Sequence, residues 1–133
     1  MKLTLTTLGV VTLATLATPA AAQMAYPDKC KGAATTMATG HDMPMEGMTD
    51  YQKASMDGMK SMNMNMMQGM MKTDADVSFV CGMIAHHLGA ISMSQVELKY
   101  GDNAEAKAKA QKIIDDQTRE VKELTEWVDK EAK

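Results

Sequence analysis

Aromatic residues are scarce: one Phe, one Trp and three Tyr in 133 residues. Rings normally supply much of a core's buried area, so this core has to be built from aliphatic side chains and thioethers. Basic residues are also short. The 14 Lys and Arg are outnumbered by 17 Asp and Glu and form no cluster, which argues against nucleic acid or an anionic membrane as partner. Histidine occurs at three positions and cysteine at two. Two adjacent histidines do not make a zinc site, which takes Cys, His and carboxylates at close spacing. The Glu-x-x-His repeats that di-iron bundles carry on two helices are absent, so the chain reads as non-enzymatic.

Proline is confined to three positions. The first, Pro19, falls in the opening segment: Lys2, an apolar run from Leu3 to Leu16 interrupted by threonines, then Thr18-Pro-Ala-Ala-Ala-Gln23. That pattern predicts an export signal peptide over 1–22, cleaved after Ala22. A retained membrane anchor would need about 20 strongly apolar residues, and this stretch is shorter and diluted by Thr. No later segment is expected to be apolar enough to span a bilayer. Cleavage leaves 111 residues with a net charge of -4, because only Lys2 is lost from the basic side.

An exported chain meets an oxidising compartment, where Cys30 and Cys81 are expected to pair. Closing that loop would stabilise the fold by roughly 4 kcal/mol on the chain-entropy account. The alternative is that one or both serve as thiolate metal ligands.

Residues 23–49, punctuated by Pro27, Gly32, Gly40, Pro44 and Gly47, have no sustained period and read as an extended or mobile arm. Residues 50–133 read as a helical domain. No proline occurs from Asp50 to about Lys72, and methionines recur there at helical spacing. Thr73-x-x-Asp76 resembles a capping box, so a second helix is expected from about Asp74 to Tyr100, ending at Gly101. A third, from about Asn103 to Ala132, carries an apolar stripe of Ala106, Ala110, Ile113, Ile114, Val121, Leu124 and Val128. Its flanks carry pairs such as Glu105 with Lys109 and Glu126 with Lys130, a solvated surface. Gln117 interrupts the stripe, either as a satisfied core amide or as a group orienting something polar across the bundle. Short connections make the expected fold all-α: an antiparallel three-helix bundle, ferritin-like or a partial four-helix bundle, preceded by the leader and the irregular Met-rich arm.

What the chain has in excess is methionine, 16 residues. Methionine is both a core hydrophobe and a soft metal ligand. In the first helix Met56, Met59, Met62, Met66 and Met70 share one broad face, a pattern that core packing can explain. Core packing does not explain the arm, where His41, Met43, Met45 and Met48 have no periodic core to serve. In the second helix Val77, Val80, Ile84, Ile91 and Leu98 mark the buried face. His87 lies within it, and His86 lies about 100° round, with Phe79, Met83, Ala90, Met93 and Glu97. Thioether and imidazole suit Cu(I) and Ag(I), and a thioether needs no deprotonation. Thiolates are unreliable in an oxidising compartment, whereas Met persists until strong oxidants reach it.

The string Phe79, Met83-Ile84, His86-His87, Gly89-Ala90-Ile91, Met93, Glu97-Leu98, Gly101, Ile113-Ile114, Gln117, Glu120 and Trp127 resembles the domain-of-unknown-function 305 family. That ferritin-like helical family includes CopM-type periplasmic copper-binding proteins, and the resemblance runs from about Met56 to Val128. It implies a Met- and His-lined bundle binding Cu(I), with Ag(I) or Cu(II) as further cargo, for metal tolerance. Family members often have proline where Ala85 stands, so a helix distortion there is expected to be weaker.

The expected function is a periplasmic or secreted copper-binding protein that sequesters or hands on Cu(I). Met83, His86, His87 and Met93 are the first candidate ligands. Met59, Met62, Met66 and Met70 are expected to line the facing helix, and His41, Met43, Met45 and Met48 to form a capture arm. Expected partners are copper ions and either a second copy or a copper-handling protein, with no nucleic acid. The competing expectation is a helical interaction module of the cell envelope that binds no metal.

Overall fold

The computed structural model describes residues 24–32 and 45–133, so the leader, His41 and Met43 lie outside the described residues. A 3-10 turn, Asp28–Cys30, precedes three α-helices: α1 Asp50–Met70, α2 Ala75–Tyr100 and α3 Ala104–Glu131. No strand occurs among the described residues.

Each helix starts where a side chain can satisfy its free N–H groups. Thr49 and Gln52 form a capping box at α1: Gln52 N–H donates to Thr49 Oγ1 and Thr49 N–H to Gln52 Oε1. At α2 the cap is Asp74, not Thr73. Its Oδ1 accepts from the backbone of Asp76 and Val77, both at 3.0 Å, because Asp74 is the last extended residue before the helix. Asn103 caps α3 through Ala106. Gly101 ends α2 as expected but with φ -68°, so left-handed backbone is not its reason. A Cβ there would lie 2.7 Å from the Glu97 carbonyl oxygen, and close approach is what requires glycine.

Helix α2 is central. It runs antiparallel to α1 along a seam of small residues, with Gly69 against Gly82, Met62 against Gly89 and Gly58 against Ser92. On α3 it meets Glu120 through His87. Residues two apart on a helix point about 200° apart, so Gly89 and His87 place α1 and α3 on nearly opposite flanks of α2. The three helices therefore form an open bundle, closer to a layer than to a closed triangle. The core runs through it, with Ile84, Val121 and Val128 fully buried.

A layer has two broad faces. One is covered at its lower end by residues 24–32, so the first part of the arm is docked. Cys30 and Cys81 are joined in a disulfide, Cα–Cα 5.4 Å, and both are fully buried. Tyr26 O–H donates to the Cys81 carbonyl at 3.2 Å. Lys29 Nζ donates to the carbonyls of Asp129 and Ala132, both at 2.8 Å, satisfying acceptors that the end of α3 leaves free. Lys72 Nζ reaches the Lys31 carbonyl at 2.8 Å. Burial pushes the Tyr26 hydroxyl up to about 12. The stability tied to its proton is present below the ordinary value of 10.0 and is lost as pH rises from there towards 12. Alkaline titration followed by tyrosinate absorbance is expected to show Tyr26 ionising last, together with unfolding.

Three expectations change. Helix α2 is long and apolar enough to cross a membrane by composition, with a window of mean hydropathy 1.4. Packing explains that composition: a helix flanked on both sides needs apolar residues around most of its circumference. Ile113 leaves the predicted stripe of α3 and is exposed, and Lys130 pairs with Glu131 instead of Glu126, while Glu105 and Lys109 pair at 2.8 Å.

The seam supplies a stability test. A Cβ on Gly69 would lie 2.9 Å from the Gly82 nitrogen and 3.0 Å from the Cys81 carbonyl carbon, both backbone atoms that cannot rotate away. Gly69→Ala is expected to cost about 1–3 kcal/mol by overpacking. A melting temperature equal to wild type would show that the helices separate freely.

Candidate metal centre

Among the described residues nothing packs on the second face of the layer. Midway between the directions of Gly89 and His87, α2 presents Phe79, Met83, His86, Ala90, Met93 and Glu97. Phe79 is 66% and Met93 58% exposed, His86 is exposed, and Met83 is half-buried. At 100° per residue Met59, Met67 and Met70 of α1 turn to the same side, away from the α1 residues that line the opposite groove, and Met70 is 66% exposed.

Core packing therefore explains fewer of the α1 methionines than their period suggests. Met62 sits in the seam against Gly89 and Met66 packs on the core, while Met59 and Met70 point to solvent. Met64, Met67 and Met71 are exposed as well. The glycine contacts give the register: Met66 lies nearly level with Met83 and His86, and Met59 with Met93. Met83 and Met93 are not brought together, since ten residues of helix separate them by about 15 Å. Met45, exposed, and Met48, half-buried, flank the turn at Gly47 (φ 84°) that leads into α1.

His87 is oriented from α3. Its Nε2 lies 2.9 Å from Glu120 Oε2, and Gln117 Nε2 donates to the same oxygen at 3.4 Å. Gln117 thus holds a carboxylate that holds an imidazole, which answers the question its place on the stripe raised. With Nε2–H directed at Glu120, the free lone pair sits on Nδ1, which is buried and has no hydrogen-bond partner. An unpartnered buried acceptor is costly, and a carboxylate fixing the remote nitrogen is the usual arrangement behind a metal-ligating histidine. Met83, one turn earlier, lies on the side towards which a helical side chain leans. His86 meets His87 edge-on, ring centroids 5.9 Å apart.

Glu120 is the residue that the reading by ligand type missed. The available signals were its place one turn after Gln117 and its presence beside Gln117 in the family-like string. Burial holds His87 below its ordinary 6.5, against the Glu120 carboxylate, which works the other way; the neighbouring His86 adds to the lowering. The stability linked to neutral His87 is present above 6.5 and lost as pH falls through that value towards the lower folded one. Thermal melts of the metal-free protein are expected to fall below pH 6.5, and less so in Glu120→Gln with His87→Leu.

Among the described residues no three His, Cys, Asp or Glu side chains converge as a metal-holding group. The donors gathered on the open face are thioethers with imidazole, a soft set. A groove of about 890 Å³ lies on the opposite side of the layer, between α1 and α3, and contains none of the histidines. An ion held by flexible side chains needs no cavity of that size, so the groove is not the candidate centre.

Fold and face together define a methionine-rich helical layer protein with an oriented histidine. The family model for the domain of unknown function DUF305 matches residues 13–128. The chain belongs to that family. The match begins inside the stretch read as a leader. No curated protein matches the chain.

Proposed function

We propose that this protein is an exported carrier that sequesters or hands on Cu(I), with Ag(I) as an alternative cargo, and so contributes to metal tolerance in the periplasm or outside the cell. The observation that carries this reading is the collection of solvent-facing thioethers on the face that holds Met83 and His86. Met59, Met67, Met70 and Met93 are exposed there, and core packing has no use for them. A soft monovalent ion prefers these donors, and neutral thioethers release it by ligand exchange without taking up protons. His87 Nδ1 supports the same reading, as a lone pair kept free by the Glu120 contact.

The test is competition between the purified mature protein and a colourimetric Cu(I) chelator. Transfer of Cu(I) to the protein is expected; failure to compete at any protein excess would end this reading. A second reading, an interaction module, is favoured by Phe79 and Ile113, exposed side chains that offer no donor atom. Association with an envelope protein that is indifferent to copper and survives loss of both histidines would support it instead.

A further inference from the structure

The stripe that α2 presents on the open face has a symmetry of its own. Phe79, Met83, His86, Ala90, Met93 and Glu97 follow one another at intervals of 4, 3, 4, 3 and 4, the spacing of a coiled-coil seam. The series reads the same in both directions about Leu88. Two copies of α2 laid antiparallel across a two-fold axis at Leu88 would therefore meet position for position: Met83 with the partner's Met93, His86 with the partner's Ala90, Phe79 with the partner's Glu97. Such self-complementarity is what a two-fold interface requires. Ala90, the one small residue of the series, falls where the other copy's imidazole needs room.

We propose that two copies of this chain pack through this face and that each soft-metal site is completed across the axis. Within one copy the donors form two separated groups, Met83 and His86 with Met66 at one level, Met93 with Met59 at another. The helical rise of about 15 Å between Met83 and Met93 is too long for one ion to take both. The two-fold axis removes that separation, because the group a copy lacks at Met83 is the one its partner brings at Met93. Two equivalent sites result, each with thioethers from both copies and imidazole from one. The exposed apolar side chains Phe79 and Met93 are covered in the same step.

This inference rests on the copper reading, and its test separates the two. Mass in solution is measured by light scattering with no metal, with Ag(I) and with Cu(I) under ascorbate, for wild type and Ala90→Arg. Ala90 carries no donor atom, so its replacement removes the contact and leaves every ligand in place. Wild type is expected to be a dimer when metal-loaded. Ala90→Arg is expected to be a monomer whose affinity is lower by on the order of 100-fold, the loss of one arm of a two-armed grip. Mixing Met83→Leu/His86→Ala protein with Met59→Leu/Met93→Leu protein is expected to restore one tight site per mixed dimer, which neither variant has alone. A loaded wild type that stays monomeric, or a monomeric Ala90→Arg with wild-type affinity, overturns the shared site while copper binding stands. Absence of Cu(I) and Ag(I) binding in every form overturns both.

Discussion

Replacing Cys30 and Cys81 together with serine is expected to cost the fold about 4 kcal/mol and to lower the melting temperature by roughly 15 °C or more. The disulfide closes a sequence separation of 51 residues and secures a strap of only nine described residues, 24–32. The strap's other attachments are single hydrogen bonds from Tyr26, Gly32 and Lys72, two from Lys29, and the packing of Met24 and Tyr26 on the core. Without the covalent link they would have to hold an unstructured segment against its conformational entropy, about 1–2 kcal/mol for each backbone residue fixed. The loss is expected to appear equally when the oxidised protein is treated with dithiothreitol. Differential scanning calorimetry before and after reduction decides it, and unchanged melting would mean that the strap contributes nothing. Because the disulfide lies on the side of the layer away from His86, the reduced protein below its melting temperature is expected to keep its Cu(I) affinity.

The second large effect is on metal affinity. Met83→Leu combined with His86→Ala and His87→Ala is expected to weaken Cu(I) binding by on the order of 100-fold or more. Leucine keeps the volume of Met83, and His86 is exposed, so two of the three changes leave packing nearly intact. His87→Ala is the structural risk, since it strips Glu120 of its imidazole and leaves that carboxylate with Gln117 alone of the two groups that hold it. His87→Gln is the control, retaining a donor for Glu120 without the imidazole. The readout is competition with the Cu(I) chelator, with far-ultraviolet circular dichroism confirming helical content. A triple variant that competes as well as wild type would remove this face from consideration, whatever the overall affinity.

Much of the fold was legible in the sequence because helices announce themselves by period and punctuation. The observed α1, α2 and α3 fall within about two residues of the expected spans, the ordinary uncertainty of helix ends. Asp74 was harder to assign, because Thr73 and Asp74 are both good caps and only backbone conformation chooses between them. The openness of the bundle was present as Gly58, Gly69 and Gly89 but not interpretable until the helices were side by side. The low aromatic content signalled a lean core, and the apolarity of α2 is the mark of a helix packed on both flanks.

The site divides in the same way. Periodicity placed His87 on the buried face and His86 about 100° from it, and both lie so. It could not place Met59 and Met70, because a broad face of methionines on a helix is compatible with facing inward or outward. The role of Glu120 depended on knowing which part of α3 passes His87, a tertiary fact that helical spacing alone does not contain.

The glycine seam between α1 and α2 has one more consequence, for anyone who would make this protein sturdier. Glycine inside a helix costs about 1 kcal/mol relative to alanine, so Gly58, Gly69 and Gly89 look like obvious places to improve. Yet the closeness they permit is what keeps side chains such as Met59 and Met70 out of the junction and leaves them to solvent. Filling the seam would pry the two helices apart and open room into which neighbouring thioethers could retreat. The stabilised protein would then be a quieter one, its soft donors converted into ordinary filling.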